Sequence, residues 1–82
     1  MHITIKYFAS IREALGTGES ITTSAQTLGE LRRELIARGG AFADVLGAGK
    51  AVRIALNQQM GEESVALLDG AEVAFFPPVT GG

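Results

Sequence analysis

The chain has 82 residues, 46% of them hydrophobic, with nine acidic against seven basic side chains and a formal net charge of −2. That length supports one domain with a modest core, and the apolar content argues against disorder. An acid excess disfavours nucleic acid, which is held by clustered Lys and Arg, and no apolar run approaches the ~20 residues of a membrane span. Cysteine is absent, so neither a disulfide framework nor thiolate chemistry is available. The opening Met1-His2-Ile3-Thr4-Ile5-Lys6 lacks the basic region and apolar run of a signal peptide, and the expected location is the cytoplasm.

From His2 to Phe8 the chain alternates, with Ile3, Ile5 and Tyr7 on one side and Thr4, Lys6 and Phe8 on the other, the period of a strand. Ser10-Ile11-Arg12-Glu13 has the form of a capping box opening a short helical turn, which Gly16 and Gly18 end. Glu19 to Thr23 reads as a second strand. Thr27-Leu28-Gly29-Glu30 repeats the capping box and opens the main helix, whose Leu28, Leu31, Leu35 and Ile36 form an apolar stripe. Arg32, Arg33 and Arg38 fall on that helix beside Glu30 and Glu34 and read as a solvated mixed face. Gly39-Gly40 ends it, and Ala41 to Leu46 forms another short turn that offers Phe42, Val45 and Leu46 to the core. Val52 to Leu56 alternates again, Asn57-Gln58-Gln59 turns into a short strand near Met60, Asp69-Gly70 marks a turn, and Glu72 to Phe76 is the last strand.

One amphipathic helix requires an apolar sheet face to cover, which makes a two-layer α+β domain. A main helix across a mixed sheet of four or five strands is the β-grasp, or ubiquitin-like, arrangement. The expected division is a β-grasp domain over 1–76 and an extended tail over 77–82.

Little within the chain points to catalysis. Its one histidine is His2, at the start of the first strand, too isolated for a nucleophilic triad or a zinc site of usual composition. Gly47-Ala48-Gly49-Lys50 lacks the glycine spacing and the hydroxyl residue of a phosphate loop and reads as an ordinary loop. Glu62-Glu63 reads as a solvated turn. No metal or cofactor is expected on this chain.

The chemistry-bearing segment is Pro77-Pro78-Val79-Thr80-Gly81-Gly82. Glycines place no Cβ beside the last carboxylate, so a partner can close around the backbone and the tail can thread a narrow channel. Pro77 and Pro78 fix φ and hold the exit extended. The four residues beyond them reach roughly 13–14 Å. Gly82 is thus the candidate reacting group and Gly81 the residue whose smallness permits insertion. Phe8, Phe76 and Met60 are candidates for an exposed apolar patch on the sheet face away from the helix. The pattern equally allows Phe8 to pack under residues 9–16 and Phe76 to cap the core.

The run from Asp69 through Phe75-Phe76-Pro77-Pro78-Val79-Thr80-Gly81-Gly82 resembles the end of the small subunits of molybdopterin synthase, sulfur carriers of molybdenum-cofactor biosynthesis. Ile5-Lys6-Tyr7-Phe8-Ala9-Ser10-Ile11-Arg12-Glu13 and Ala55-Leu56-Asn57-Gln58 are similar to that family's first strand and turn and its middle strand. The resemblance implies that an adenylating enzyme related to ubiquitin activators uses ATP to make a Gly82 acyl-adenylate, which sulfur converts to a thiocarboxylate. It further implies docking on a large subunit, within a heterotetramer, whose active site receives the tail and transfers sulfur to a cyclic pyranopterin precursor. Phe8, Met60, Phe76, Pro77, Pro78, Val79 and Thr80 would then be interface residues, and the catalytic residues would belong to the large subunit. Other ubiquitin-like sulfur carriers, serving thiamine or tRNA thiolation, protein modifiers, and a plain interaction module with an idle tail are the alternatives.

Overall fold

Alternating apolar residues build a five-stranded mixed sheet, seen in a computed structural model that describes residues 1–78; Val79, Thr80, Gly81 and Gly82 lie outside the described residues. In chain order the elements are β1 (His2–Tyr7), α1 (Ala9–Leu15), β2 (Gly18–Thr22), α2 (Leu28–Ile36), α3 (Gly40–Leu46), β3 (Arg53–Leu56), β4 (Gln59–Gly61) and β5 (Glu72–Phe76). The sheet order is β2-β1-β5-β3-β4. β5 lies parallel to β1 and antiparallel to β3, so the last strand is central and bonded on both edges. Ile3, Ile5, Tyr7, Ile54, Val73 and Phe75 face Leu28, Leu31, Leu35 and Leu46 in one core. The α+β β-grasp expectation is thereby met, with three helices rather than one; the segment expected to be a turn over 41–46 is a helix.

Helix α2 is fixed at its start by complementary devices. Thr27 Oγ1 accepts from Glu30 N at 3.1 Å, half of the expected capping box. The other half differs, since Glu30 Oε1 accepts from Gln26 N rather than from Thr27. The remaining free donors of the first turn go to the segment before β5: Leu28 N to Val65 O at 3.0 Å and Gly29 N to Glu63 O at 2.9 Å. A Cβ at position 29 would lie 2.8 Å from Glu63 Cβ, so this approach requires glycine.

Three further expectations are corrected by the structure. The Ser10–Glu13 capping box does not form, because Phe8 occupies the N-cap of α1 in an extended conformation and no side chain caps it. Phe8 N still donates to Phe75 O at 3.1 Å, so the chain remains strand-like until Ala9, and Ser10 falls inside the helix. The strand expected over Glu19–Thr23 begins one residue earlier, with Gly18 paired to Lys6.

The third correction concerns Arg32, which is buried at 7% exposure rather than solvated. Its Nε donates to Leu46 O at 2.7 Å, its Nη2 to Gly47 O at 2.9 Å and Lys50 O at 3.0 Å, and its Nη1 to Glu63 Oε2 at 2.8 Å. The planar fork suits this task because its donors diverge at fixed angles. Glu63, expected in a solvated turn, is half-exposed yet pairs with this buried cation.

Arg32→Ala strips three carbonyls of a charged donor and is expected to cost about 3–5 kcal/mol. Glu63→Gln, at a half-exposed site, should cost about 1 kcal/mol or less. Urea midpoints at unchanged slope measure both, and equal losses would contradict the carbonyl contacts as the main contribution.

Candidate functional site

Register decides what the outer face of the sheet displays. Lys6 pairs with Ala74, Ala74 with Ala55, and Ala55 with Met60, which makes one row across four strands. The next row joins Phe76 to Arg53. Phe8 extends the alternation of β1 by one residue, its N–H donating to Phe75 O, and continuing the Tyr7–Phe75 register sets it level with Phe76. At ~4.8 Å between strands, β1 and β4 are about 14 Å apart, so Phe8 and Met60 flank a floor of two alanines.

Phe8 is 44% and Met60 59% exposed, whereas Ala55 is 7% exposed. Phe76 is half-buried. The structure thus brings Phe8, Phe76 and Met60 onto one face and excludes packing of Phe8 beneath the α1 segment. Exposed aromatic and thioether groups around a small-residue floor make a shallow apolar surface of the kind that marks a protein interface. Cations border it: Lys6 pairs with Glu72 at 3.2 Å, and Arg53 registers with Phe76. A groove of about 390 Å³ beside the patch is lined by Thr4, Lys6, Phe8, Arg12, Gly18 and Ser20.

The root of the tail lies on the other side. Pro77 borders a groove of about 210 Å³ formed with Ser10 and Ile11 of α1, Asp44 and Val45 of α3, and Lys50 and Ala51 of the following loop. Pro77 and Pro78 are half-buried. Sequence reasoning missed these flanking residues; their only signal was that Val45 belonged to an apolar face. The expectations for Val79, Thr80, Gly81 and Gly82 lie outside the described residues.

A polar brace stands behind the central strand. The Tyr7 ring lies 6.2 Å from Phe75 and 6.4 Å, edge-on, from Phe42. Its hydroxyl donates to Glu19 Oε2 at 3.2 Å, and Arg38 donates to the same oxygen at 2.8 Å while its guanidinium sits 4.8 Å from the Phe42 ring centre. Burial, then the Glu19 charge, pushes the Tyr7 phenol well above its ordinary value, so it remains a donor. The Arg38 hydrogen bond holds the Glu19 carboxyl below 4.5. Among the described residues no three His, Cys, Asp or Glu side chains converge as metal ligands, and no helix is long and apolar enough to cross a membrane.

A mixed sheet of this order, covered on one face and carrying its last strand in the centre, defines the ubiquitin-like β-grasp class. The small archaeal modifier protein 1 of Haloferax volcanii has this fold at a TM-score of 0.77 and 25% identity, over 95% of this chain and 98% of that one. Subunit 1 in the complex of subunits 1 and 2 of the molybdopterin-converting factor from Helicobacter pylori matches at a TM-score of 0.67 and 30% identity, over 100% of both chains. This chain belongs to the ThiS family, whose model matches residues 5–82. The molybdopterin synthase sulfur carrier subunit of Escherichia coli K12 is 40% identical to it over 81 residues, covering 98% of this chain and 99% of that protein. Its counterpart in Haemophilus influenzae is 35% identical over the same length.

Because the folded state holds the Glu19 proton less tightly than the unfolded chain, its contribution is fully present above about pH 4.5 and is lost as pH falls through the folded-state value. Glu19→Gln should therefore be less stable than the parent near neutrality and show a shallower loss on acidification. Denaturation midpoints tracked down to about pH 3 measure this; parallel curves would contradict it.

Proposed function

We propose that this protein is the sulfur carrier subunit of a molybdopterin synthase and that its reacting atom is the Gly82 carbonyl carbon. The observation carrying this reading is agreement over nearly the whole chain with the E. coli carrier subunit, at 40% identity across 98% of the residues. An exit through Pro77-Pro78 to Gly81-Gly82, directly from a strand bonded on both edges, supports it.

The chemistry is a sequence of acyl substitutions. A carboxylate is a poor acyl donor, so an adenylating partner uses ATP, the Gly82 oxygen attacking the α-phosphorus with loss of pyrophosphate. A sulfur nucleophile then displaces AMP and leaves a thiocarboxylate, a sulfur nucleophile made without cysteine. The charged tail enters the large subunit's active site and gives sulfur to a cyclic pyranopterin precursor; two dithiolene sulfurs require two carriers. Catalytic residues belong to the large subunit, and this chain binds no cofactor of its own. Phe8, Met60 and Phe76 contact the large subunit or the activator, Pro77 to Thr80 line the approach, and Gly81 passes the constriction. This reading divides the chain into a β-grasp body over 1–76 and an extended tail over 77–82, acting in the cytoplasm beside its soluble partners. Likeness to the Haloferax modifier protein favours one second reading, attachment to other proteins through an isopeptide bond.

Intact mass after incubation with the activator, ATP and a sulfur source tests the reading: one oxygen should be exchanged for sulfur, and purified large subunit with the pterin precursor should remove it. Isopeptide adducts in place of that exchange would favour the modifier. Gly81→Ile should leave the denaturation midpoint unchanged and abolish sulfur loading, and a chain extended beyond Gly82 should not be adenylated. Met60→Asp places a charge in the apolar surface and should weaken binding of the large subunit at least about tenfold, roughly 1.4 kcal/mol, while changing stability by less than about 0.5 kcal/mol.

A further inference from the structure

Arg32 makes contacts that a buried cation needs, but their location has a consequence beyond stability. Three of its four partners are carbonyls of one short segment: Leu46 at the end of α3, Gly47, and Lys50. The segment also closes on itself, Lys50 N donating to Gly47 O at 2.8 Å. At its end, Lys50 and Ala51 form one wall of the groove that borders Pro77. Two residues further on, Arg53 pairs with Phe76, the last residue of β5 before the tail. The groove's other walls include Ile11 of α1 and Val45 of α3, the residue before Leu46, whose carbonyl Arg32 holds.

We propose that Arg32 is a positioning residue for the root of the tail: by pinning the carbonyls of Leu46, Gly47 and Lys50 to α2 it fixes the wall that Pro77 lies against, and with it the point from which the tail leaves the fold. The inference rests on the carrier reading above. A proline's φ is fixed by its ring, so a seated Pro77 holds the start of Pro78 in place as well. A misplacement of about 1 Å at a reacting group can cost about a hundredfold in rate. Phe8 and Met60 lie on the sheet face away from the helices, and neither is a hydrogen-bond partner of Arg32. Loss of Arg32 should therefore spare recognition and slow chemistry.

Arg32→Lys keeps the charge but a single ammonium cannot span carbonyls arranged for a planar fork. With the full chain, activator, ATP and sulfur source, initial rates of thiocarboxylate formation are measured against carrier concentration and corrected for folded fraction by circular dichroism. The expected result is a fall in kcat of at least about tenfold with KM for the carrier within about threefold of the parent. A purely structural role would lower the denaturation midpoint and leave kcat per folded molecule unchanged, and that result overturns the inference. Val45→Ala opens the groove without touching Arg32 and should lower kcat by about threefold; it carries the test if Arg32→Lys fails to fold, and an unchanged kcat there overturns the inference equally. Glu63→Gln retains the carbonyl contacts and should keep the parent kcat, whereas a loss equal to that of Arg32→Lys overturns the route through residues 46–50. A parent chain that never gains sulfur defeats the carrier reading and this inference with it; a parent and Arg32→Lys that load equally defeat the inference alone.

Discussion

Central placement of the strand Glu72–Phe76 is the constraint on which the other features depend. It is bonded to β1 in parallel and to β3 in antiparallel register, with Val73 and Phe75 fully buried between them. A terminal strand at a sheet edge could fray and let its tail wander. Here fraying would break two ladders and withdraw a valine and a phenylalanine from the core, each worth about 1.5–3 kcal/mol of burial. The origin of the tail is accordingly among the most firmly held points of the fold.

The same strand gives the molecule two different surfaces at one place. Odd positions 73 and 75 face the helices, while 72, 74 and 76 face outward with Lys6, Ala55 and Met60. The outward apolar face and the root of the tail thus share a backbone and meet at the adjacent residues Phe76 and Pro77. Alanine at 55 and 74 keeps the middle of that face low, so the flanking Phe8, Phe76 and Met60 stand above it. A partner surface can then meet three apolar groups without displacing a large central side chain.

Much of this was legible in the residues, for a physical reason. Period-two alternation is forced wherever a strand buries one face only, and Ile3-Ile5-Tyr7 and Val73-Phe75 obey it. The start of α2 was legible because Thr27 had no rival for its cap. The false capping box at Ser10 shows the converse: Ser-x-x-Glu is locally competent, but the ladder to β5 holds Phe8 extended and moves the helix start past it. Tertiary bonding outweighed a local motif. The third helix was hidden because seven residues between glycines show too little periodicity to separate helix from turn.

The burial of Arg32 escaped the sequence reading although its position carried a signal. Leu28, Leu31 and Leu35 define a stripe, and residue 32 lies within it, four after Leu28 and three before Leu35, while Arg33 and Glu34 fall outside. A charged residue inside an apolar stripe either breaks the helix's packing or meets acceptors that the core otherwise lacks. The backbone supplies them, because α3 ends at Leu46 and its last carbonyls have no intrahelical donors. One guanidinium therefore solves two problems at once, its own desolvation and the open end of a short helix. That mutual satisfaction is why the loop over residues 47–50, glycine-rich and ordinary in composition, is held in one place beside the root of the tail.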